Sequence, residues 1–455
     1  MISANIFAQQ STFESQIQQI LKLDGLRRDE LKLNLKSFEE GKSALNDIGT
    51  AFSSFQSIIN NFENNSEASF QALKGTTSSD ALKVLSTDST STPGTYDIQI
   101  GQVAQRDIVN SAQFQDTGTD LSGTGQGSFK LLIGEEELLI DIDTTGLTNQ
   151  EVLNEIANEI NTQSSGAVSA SRLQVNDSES ILSIKSSETG SVNQITIQDV
   201  TGDFQNLNHN HVYTTGELDA NFTIDGVTFT RSSNTIDDVI DGVNFELVQA
   251  QAGNHQITVE RDIESVTQGI ESFVEAYNEL NSTIRKNTFL NSESGNRGPL
   301  QRERAIRNLS NSMRHTFLEP VQSMSGESVT LLTDIGIEFN QDGSMTIEDP
   351  DKLESVILQD SELLNELFTA SDGLISKIRT GVESSFSGDG SVLESIEAGF
   401  DSRIDRTNNR IEREERFLER REVQLRKEFA ELQQIIDRGQ SQFNQIMNFQ
   451  SNFGL

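Results

Sequence analysis

The chain has 455 residues, 34% of them hydrophobic, and a formal net charge of −36. That length fits roughly two to four domains, and a mean hydropathy of −0.44 suits an elongated string of small domains better than one globule. The charge argues against nucleic acid or an anionic membrane as partner, and the lack of cysteine rules out disulfides and thiolate metal sites.

The charge is unevenly spread. Residues 81–262 carry 7 basic and 27 acidic side chains, whereas residues 401–455 carry 10 of each. The middle therefore reads as an acidic, soluble head and the end as a charge-balanced zipper. No apolar run approaches the roughly 20 residues of a membrane span, so no membrane insertion is expected. Met1 to Gly25 lacks a basic segment followed by an apolar one, which predicts no ordinary signal peptide. The expectation is a cytoplasmic chain or one exported by a route that does not cleave it.

In chain order, residues 5–23 predict a polar helix with a thin stripe of Phe13, Ile17 and Ile20. Leu31, Phe38, Leu45, Phe52 and Ile59 then keep a seven-residue step, a helix that needs a partner along one edge. Near Gly75 the character changes: Thr and Ser dominate 76–92, and Tyr96, Ile98 and Ile100 alternate as a strand. Phe129–Ile133 and Leu138–Ile142 flank Gly134-Glu135-Glu136 as a hairpin. Thr148 and Glu151 form a capping box before Val152, Leu153, Ile156, Ala157 and Ile160. Further strands are predicted at 167–175, 181–184 and 195–197.

A second β module starts at Ala220, with Asp225-Gly226 as a strong hairpin turn. Residues 236–240 read as a short turn or helix, and 245–248 and 256–259 as strands. Ile263, Val266, Ile270, Phe273, Tyr277, Leu280 and Ile284 mark a helix, and 299–316 another. Asp342-Gly343 turns a hairpin, and Asp349-Pro350 caps a helix carrying Leu353, Val356 and Ile357. Two more short helices lead to the terminal segment.

From Asp401 onward Ile404, Ile411, Leu418, Leu425, Leu432 and Ile446 recur on a seven-residue grid, and Phe429, Ile436 and Phe443 form a second series. The second series starts polar, at Asn408, Glu415 and Glu422, so the first half carries only half a seam. Two heptad segments at opposite ends of one chain are most simply placed side by side, everything between them being a nested insertion. At 1.5 Å per residue the terminal helix would run about 75 Å, which favours oligomeric use over purely internal packing.

Candidate chemistry is sparse. His209-Asn210-His211 lacks the flanking ligands of a metal site or nuclease box and reads as a loop. Glu135-Glu136-Glu137 reads as a solvated hairpin tip. Asn340, Asp342 and Glu348 miss the spacing of a calcium loop. No nucleophile triad, phosphate loop or dinucleotide fingerprint occurs. No active site, cofactor or metal is expected.

Several stretches together resemble the flagellar hook-associated protein 2 family, the filament cap proteins. They are Phe222-Thr223-Ile224-Asp225-Gly226, Ser233-Asn234-Thr235-Ile236, Ile240-Asp241-Gly242-Val243, Phe273 to Leu280, and Asp334-Ile335-Gly336-Ile337 with Asp342-Gly343. Residues 127–197 resemble the small insertion module of flagellins and hook-associated proteins. One departure is the start: that family usually opens with a glycine-rich run, and no glycine occurs here before Gly25.

The resemblance implies a multidomain α+β chain with terminal coiled-coil helices, a helical inner domain built from both chain ends, and two small β-rich heads. The expected division is a leg at 1–40, an inner domain at 41–80 and 263–398, a head at 81–115 and 215–262, an inserted head at 116–214, and a leg at 399–455. It implies a secreted, non-enzymatic protein at the tip of a bacterial flagellum, forming a ring of five or six subunits that helps flagellin fold and insert. Flagellin and an export chaperone on the C-terminal helix are the implied partners. The residues expected to carry oligomerisation are the heptad positions Leu31, Phe38, Leu45, Phe52, Ile404, Ile411, Leu418, Leu425, Phe429, Leu432, Ile436, Phe443 and Ile446. Alternatives are a surface adhesin using the acidic heads, or a flagellin or hook–filament junction protein.

Overall fold

Two long helices open the chain in the computed structural model, α1 (Ile2–Asp24) and α2 (Leu26–Asn64), followed by the short α3 (Ser66–Phe70). Next come β1 (Leu73–Thr77), β2 (Leu82–Thr87), β3 (Gly94–Gln102), β4 (Arg106–Asn110) and β5 (Phe114–Gln115). The hairpin β6 (Gln126–Ile133) and β7 (Glu136–Asp143) precedes α4 (Asn149–Gln163), β8 (Val168–Asn176), β9 (Glu179–Thr189), β10 (Ile195–Gly202) and β11 (Asn210–His211). After α5 (Thr215–Leu218) lie β12 (Ala220–Ile224), β13 (Val227–Arg231), β14 (Thr235–Ile240), β15 (Val243–Leu247) and β16 (Gln251–Arg261). The rest holds α6 (Ile263–Thr288), α7 (Arg304–Leu318), the hairpin β17 (Ile337–Phe339) and β18 (Met345–Ile347), then α8 (Pro350–Gln359), α9 (Ser361–Thr369), α10 (Leu374–Ile378) and α11 (Val392–Asn452). The structure describes residues 2–290, 297–383, 386 and 390–452, with side-chain detail between Phe13 and Met447.

The chain divides into two units, residues 67–266 and the remainder, so the first is nested inside the second. The nested unit has two cores. One lies between the antiparallel sheet β1-β16-β3-β12-β13 and the sheet β14-β15-β2, with Ile98, Phe222, Phe245 and Ile257 inside. Asp225 (φ +49) and Gly226 (φ +81) both take the left-handed region, the mirror-image turn that suits strand twist in a two-residue hairpin. His255 is buried there; its Nε2 donates to the Gln251 carbonyl at 3.0 Å, and its Nδ1 hydrogen-bonds the Ser79 hydroxyl at 2.8 Å.

The other core packs α4 against the sheet β10-β6-β7 and the sheet of β11, β4, β9, β5 and β8. The capping box is present: Thr148 accepts from the Glu151 amide while the Glu151 carboxylate accepts from the Thr148 amide. Val152, Leu153, Ile156, Ala157 and Ile160 are all buried. Asp203 is buried too. Burial would raise its pKa, but donors from Thr144, Thr124 and Gly125 outweigh that and hold its carboxyl below the usual range.

The outer unit has an aromatic centre. Phe273 lies 5.7 Å from Phe55, 6.1 Å from Phe62, 5.9 Å from Phe317 and 5.5 Å from Phe368, ring centre to ring centre. Tyr277 lies 5.3 Å from Phe317 and donates its hydroxyl to the Gly343 carbonyl at 3.0 Å. That bond ties the Asp342-Gly343 hairpin to α6. Asp349 caps α8 with Pro350 in its first turn.

Some expectations need correction. Residues 236–240 form strand β14: Ile236 pairs with Phe245, and Val239 and Ile240 pack on the core. The Thr- and Ser-rich stretch holds β1 and β2, because threonine branches at Cβ and suits a pleated surface. Residues 73–77 therefore belong to a sheet with β16, not to a helical inner domain. Strands β4 and β5 pair with β9, which places 106–115 with the inserted module. Helix α7 starts at Arg304 rather than 299, and Gly134-Glu135 make the turn, Glu136 being paired with Ile133. His209-Asn210-His211 is not a plain loop. Asn210 and His211 pair with β4, and the His211 Nδ1 donates to the fully buried Asp107 carboxylate at 3.0 Å.

Candidate assembly surface

Helices α1 and α2 pack antiparallel on α11, with contacts running from Lys42 and Asp401 at one end to Glu14 and Arg426 at the other. The break between α1 and α2 is slight: Gly25 keeps helical dihedrals, and its amide still reaches the Leu21 carbonyl at 2.8 Å. Leu418 lies beside Gly25, 3.7 Å from where a Cβ would stand. Chain ends with matched periodicity have found each other, as expected of helices with one apolar edge.

The root of this hairpin is a close fit. Phe400 is 4% exposed, and a Cβ at Gly41 would stand 2.6 Å from its ring. The Arg403 guanidinium lies 5.5 Å from the Phe400 ring and 5.9 Å from Phe38, and reaches Glu303 at 3.6 Å. Lys42 meets Asp401 at 2.6 Å, and this hydrogen bond raises its pKa. Outward from the root, ion pairs flank the apolar seam: Lys32 with Glu415 at 2.9 Å, Arg27 with Glu414 at 3.2 Å, Asp24 with Arg421 at 3.5 Å. Near the free end Arg426 holds Glu14 at 2.8 Å, lowering the pKa of that carboxyl, and Phe13 stacks at 5.3 Å on Phe429.

The expected heptad residues separate into three groups. Leu45 and Phe52 are buried in the helical core of their own chain, Phe52 stacked on Phe386 at 3.9 Å. Ile411 and Leu425 are buried in the hairpin seam, where Leu31, Phe38, Ile404, Leu418, Phe429 and Ile436 are half-buried. Leu432, Phe443 and Ile446 stand 47%, 61% and 60% exposed; Leu432 lies off the seam, and by the pairing of Phe13 with Phe429 the other two lie beyond the stretch that α1 covers. The contact line along α11 passes through Ile411, Leu418, Leu425, Phe429, Gln433 and Ile436. It advances by 3.6 residues per turn, and a strict seven-residue series rotates about 20° per heptad away from any such line.

Sequence reasoning missed Phe400, Gly41 and Arg403. Phe400 sits four residues before Ile404, on the seam, and that spacing was the available signal. The helix also starts at Val392, earlier than Asp401. Among the described residues no group of three His, Asp or Glu side chains could hold a metal ion, and no helix is long and apolar enough to cross a membrane.

Residues 11–107 match the sequence model of the flagellar hook-associated protein 2 N-terminus, and residues 218–441 that of its C-terminus. The chain belongs to the flagellar hook-associated protein 2 family. The two matches bracket residues 108–217, the stretch that holds the inserted α4 module. The A-type flagellar hook-associated protein 2 of Pseudomonas aeruginosa is 27% identical over 434 residues, 88% of either chain. The B-type protein of that species is also 27% identical, over 361 residues and 74% of either chain. In fold the chain is similar to the crystal structure of the flagellar cap protein FliD, domains D1, D2 and D3, from Escherichia coli. The TM-score is 0.61 at 24% identity, covering 80% of this chain and 99% of that one.

Proposed function

We infer that this chain is a structural protein that caps the distal end of the bacterial flagellar filament, where it promotes the folding and insertion of flagellin. The observation that carries this is the pair of family matches, one towards each end of the chain, whose outer helices pair in a single antiparallel hairpin. The family favours the cap over an adhesin or a hook–filament junction protein. The action is steric, so no catalytic group is required.

The finer reading has five parts: legs at 1–40 and 399–455, an inner helical domain, a β-rich head and an inserted head. The cap is a homo-oligomeric ring of five or six subunits, exported to the filament tip, with flagellin as its working partner. The apolar side chains that α11 leaves exposed, Leu432, Phe443 and Ile446, support a contact beyond the chain, and an export chaperone before assembly fits that stretch. Cell adhesion gains no support from any described feature.

Negative-stain electron microscopy of the full-length protein, with its mass in solution, tests the ring. Discrete rings are expected, and elongated single particles at every concentration would remove the reading. In the cell, deletion should release unpolymerised flagellin into the medium, and reintroducing the chain should stop it.

A further inference from the structure

In a chain of net charge −36, one face of α11 is basic. Arg406, Arg410, Arg413, Phe417 and Arg420 follow one another at steps of three and four, which places them on one stripe. All five are exposed, Phe417 by 45%, and none of the four arginines has an ion-pair partner among the described residues. Arg426, which pairs with Glu14, lies on another face, and Arg421, which pairs with Asp24, lies at the edge of the stripe four residues after Phe417.

Helix α2 carries a stripe of opposite kind with the same spacing: Leu26, Glu30, Leu33, Ser37 and Glu40. Leu26 is 59% and Leu33 71% exposed, and Glu30 has no partner among the described residues. The basic side chains around it are already engaged: Arg27 with Glu414, Lys32 with Glu415 and Lys36 with Glu40. The register of the hairpin, set by Gly41 against Phe400, Arg27 against Glu414 and Phe13 against Phe429, puts both stripes at the same height. By that register Arg413 stands level with Arg28 and Asp29, Arg410 with Leu31 and Lys32, and Phe417 with Asp24 and Gly25, each within two residues of Glu30, Leu33 and Leu26 in turn.

We propose that the Arg–Phe stripe of α11 docks on the Leu–Glu stripe of α2 in a second copy of this chain, so that neighbouring legs zip side by side in the ring. The proposal rests on the ring reading above and names its contact. Copies in a ring stand at equal height, and that is where the two stripes match in charge and in apolar content. The two patches differ, so the contact is head-to-tail, the kind that closes a ring rather than a two-fold dimer. Phe417 meets Leu26 at one end, and Arg413 and Arg410 bracket Glu30, so one apolar contact adjoins a charged cluster.

The test is sedimentation velocity of the full-length protein. R410E/R413E is expected to weaken ring assembly by at least about tenfold, each reversal replacing an attraction with a repulsion. R410Q/R413Q, which removes the attraction alone, should fall between that variant and the parent. Adding E30R to R410E/R413E should restore rings. Because all these side chains are exposed, circular dichroism should show unchanged helix content. Rings should also loosen between about 0.1 M and about 1 M salt, as the screening length falls from about 10 Å to about 3 Å. Rings of full mass and unchanged affinity from R410E/R413E would overturn the proposal and leave the ring reading standing. Failure of E30R to rescue would overturn the pairing of these stripes. A parent protein that never forms rings would end both readings.

Discussion

The nested unit and the helical hairpin meet the same requirement, burial of apolar side chains, with unlike means. In residues 67–266 the sheets turn one face inward: Phe129, Ile156 and Phe245 have no exposure and Phe222 1%, and aspartates that enter, such as Asp107 and Asp203, arrive with donors in place. In the hairpin each helix offers one edge to one partner. The root has the tightest approach, at Gly41 and Phe400, and further out exposed ion pairs flank a one-residue-wide apolar seam that still buries Ile411, Leu425 and Ile17. Exposed pairs are worth about 0–1 kcal/mol each and weaken with salt, so the hairpin is graded along its length while each head core is closed. A cap that must keep hold of a growing filament end has use for a rigid head and yielding legs.

The sharpest break of that contrast is in the head. Phe129 has no exposure and lies 5.8 Å from Phe204 and 5.9 Å from His209. Phe129→Ala removes a closed ring and leaves a cavity, for an expected loss of about 3–5 kcal/mol. Urea unfolding followed by hydrogen exchange should show α4 and β6–β10 opening early while α11 keeps its protection. Loss of protection in both at once would mean the units are not independent.

At the root the expected effect is smaller and its sign is contested. Alanine at position 41 gains about 1 kcal/mol of helix propensity over glycine. Its Cβ, however, would meet the Phe400 ring at 2.6 Å, and that ring is itself buried with Arg403 over it. Overpacking of this kind costs about 1–3 kcal/mol, so Gly41→Ala should destabilise the root on balance. Faster amide exchange at 38–45 and 396–404 is the expected reading. Slower exchange would show that Phe400 can shift, and the root would then be no tighter than the leg.

These two cases also show what the sequence made legible. Local rules found the capping box at Thr148, the turn at Asp225-Gly226 and the buried face of α6, because each rests on neighbours within a few positions. They also found that the two chain ends pair, since periodicity survives without knowing the partner. They missed β14 because Ile236-Asp237-Asp238-Val239-Ile240 reads like one apolar-edged helical turn, and only pairing with β15 decides otherwise. They missed β1 for the same reason, its partner β16 lying far along the chain. On α11 a straight helix rotates Leu432 off the seam, while Phe443 and Ile446 stand beyond the stretch that α1 covers, free for the contact outside the chain that their heptad spacing predicts. Gly41 and Phe400 form one fit from positions that look unremarkable apart.

Acid sharpens the comparison through Glu14. Its hydrogen bonds with Arg426, then with Gln18, hold its folded pKa below the ordinary carboxylate value. A depressed carboxyl contributes stability that is present above its unfolded pKa and is lost as pH falls through the folded one. The free end of the hairpin should therefore loosen below about pH 4.5. Asp203 is depressed too, so acid should weaken both regions, whereas salt should weaken only the exposed pair. The check is exchange at 421–429 against exchange at 122–126 and 142–146, over pH at low salt and over salt at neutral pH. Equal salt sensitivity in both would contradict the graded picture.

The smallest expected effect lies at the tip. Phe13 and Phe429 are both half-buried and stack at 5.3 Å with their rings tilted by 49°. Such a pair contributes about 0.5–1.5 kcal/mol beyond the area it covers, and half-burial puts this one at the lower end. Phe13→Ala should therefore cost about 1 kcal/mol, leave the global unfolding midpoint unchanged and raise exchange only from about Arg421 onward. Phe429→Ala should give the same pattern, and the double variant should lose less than the two single losses together, since the rings act on each other. Full additivity would mean that each ring packs against its own helix, and that the free end of the hairpin is held by Arg426 and Glu14 alone.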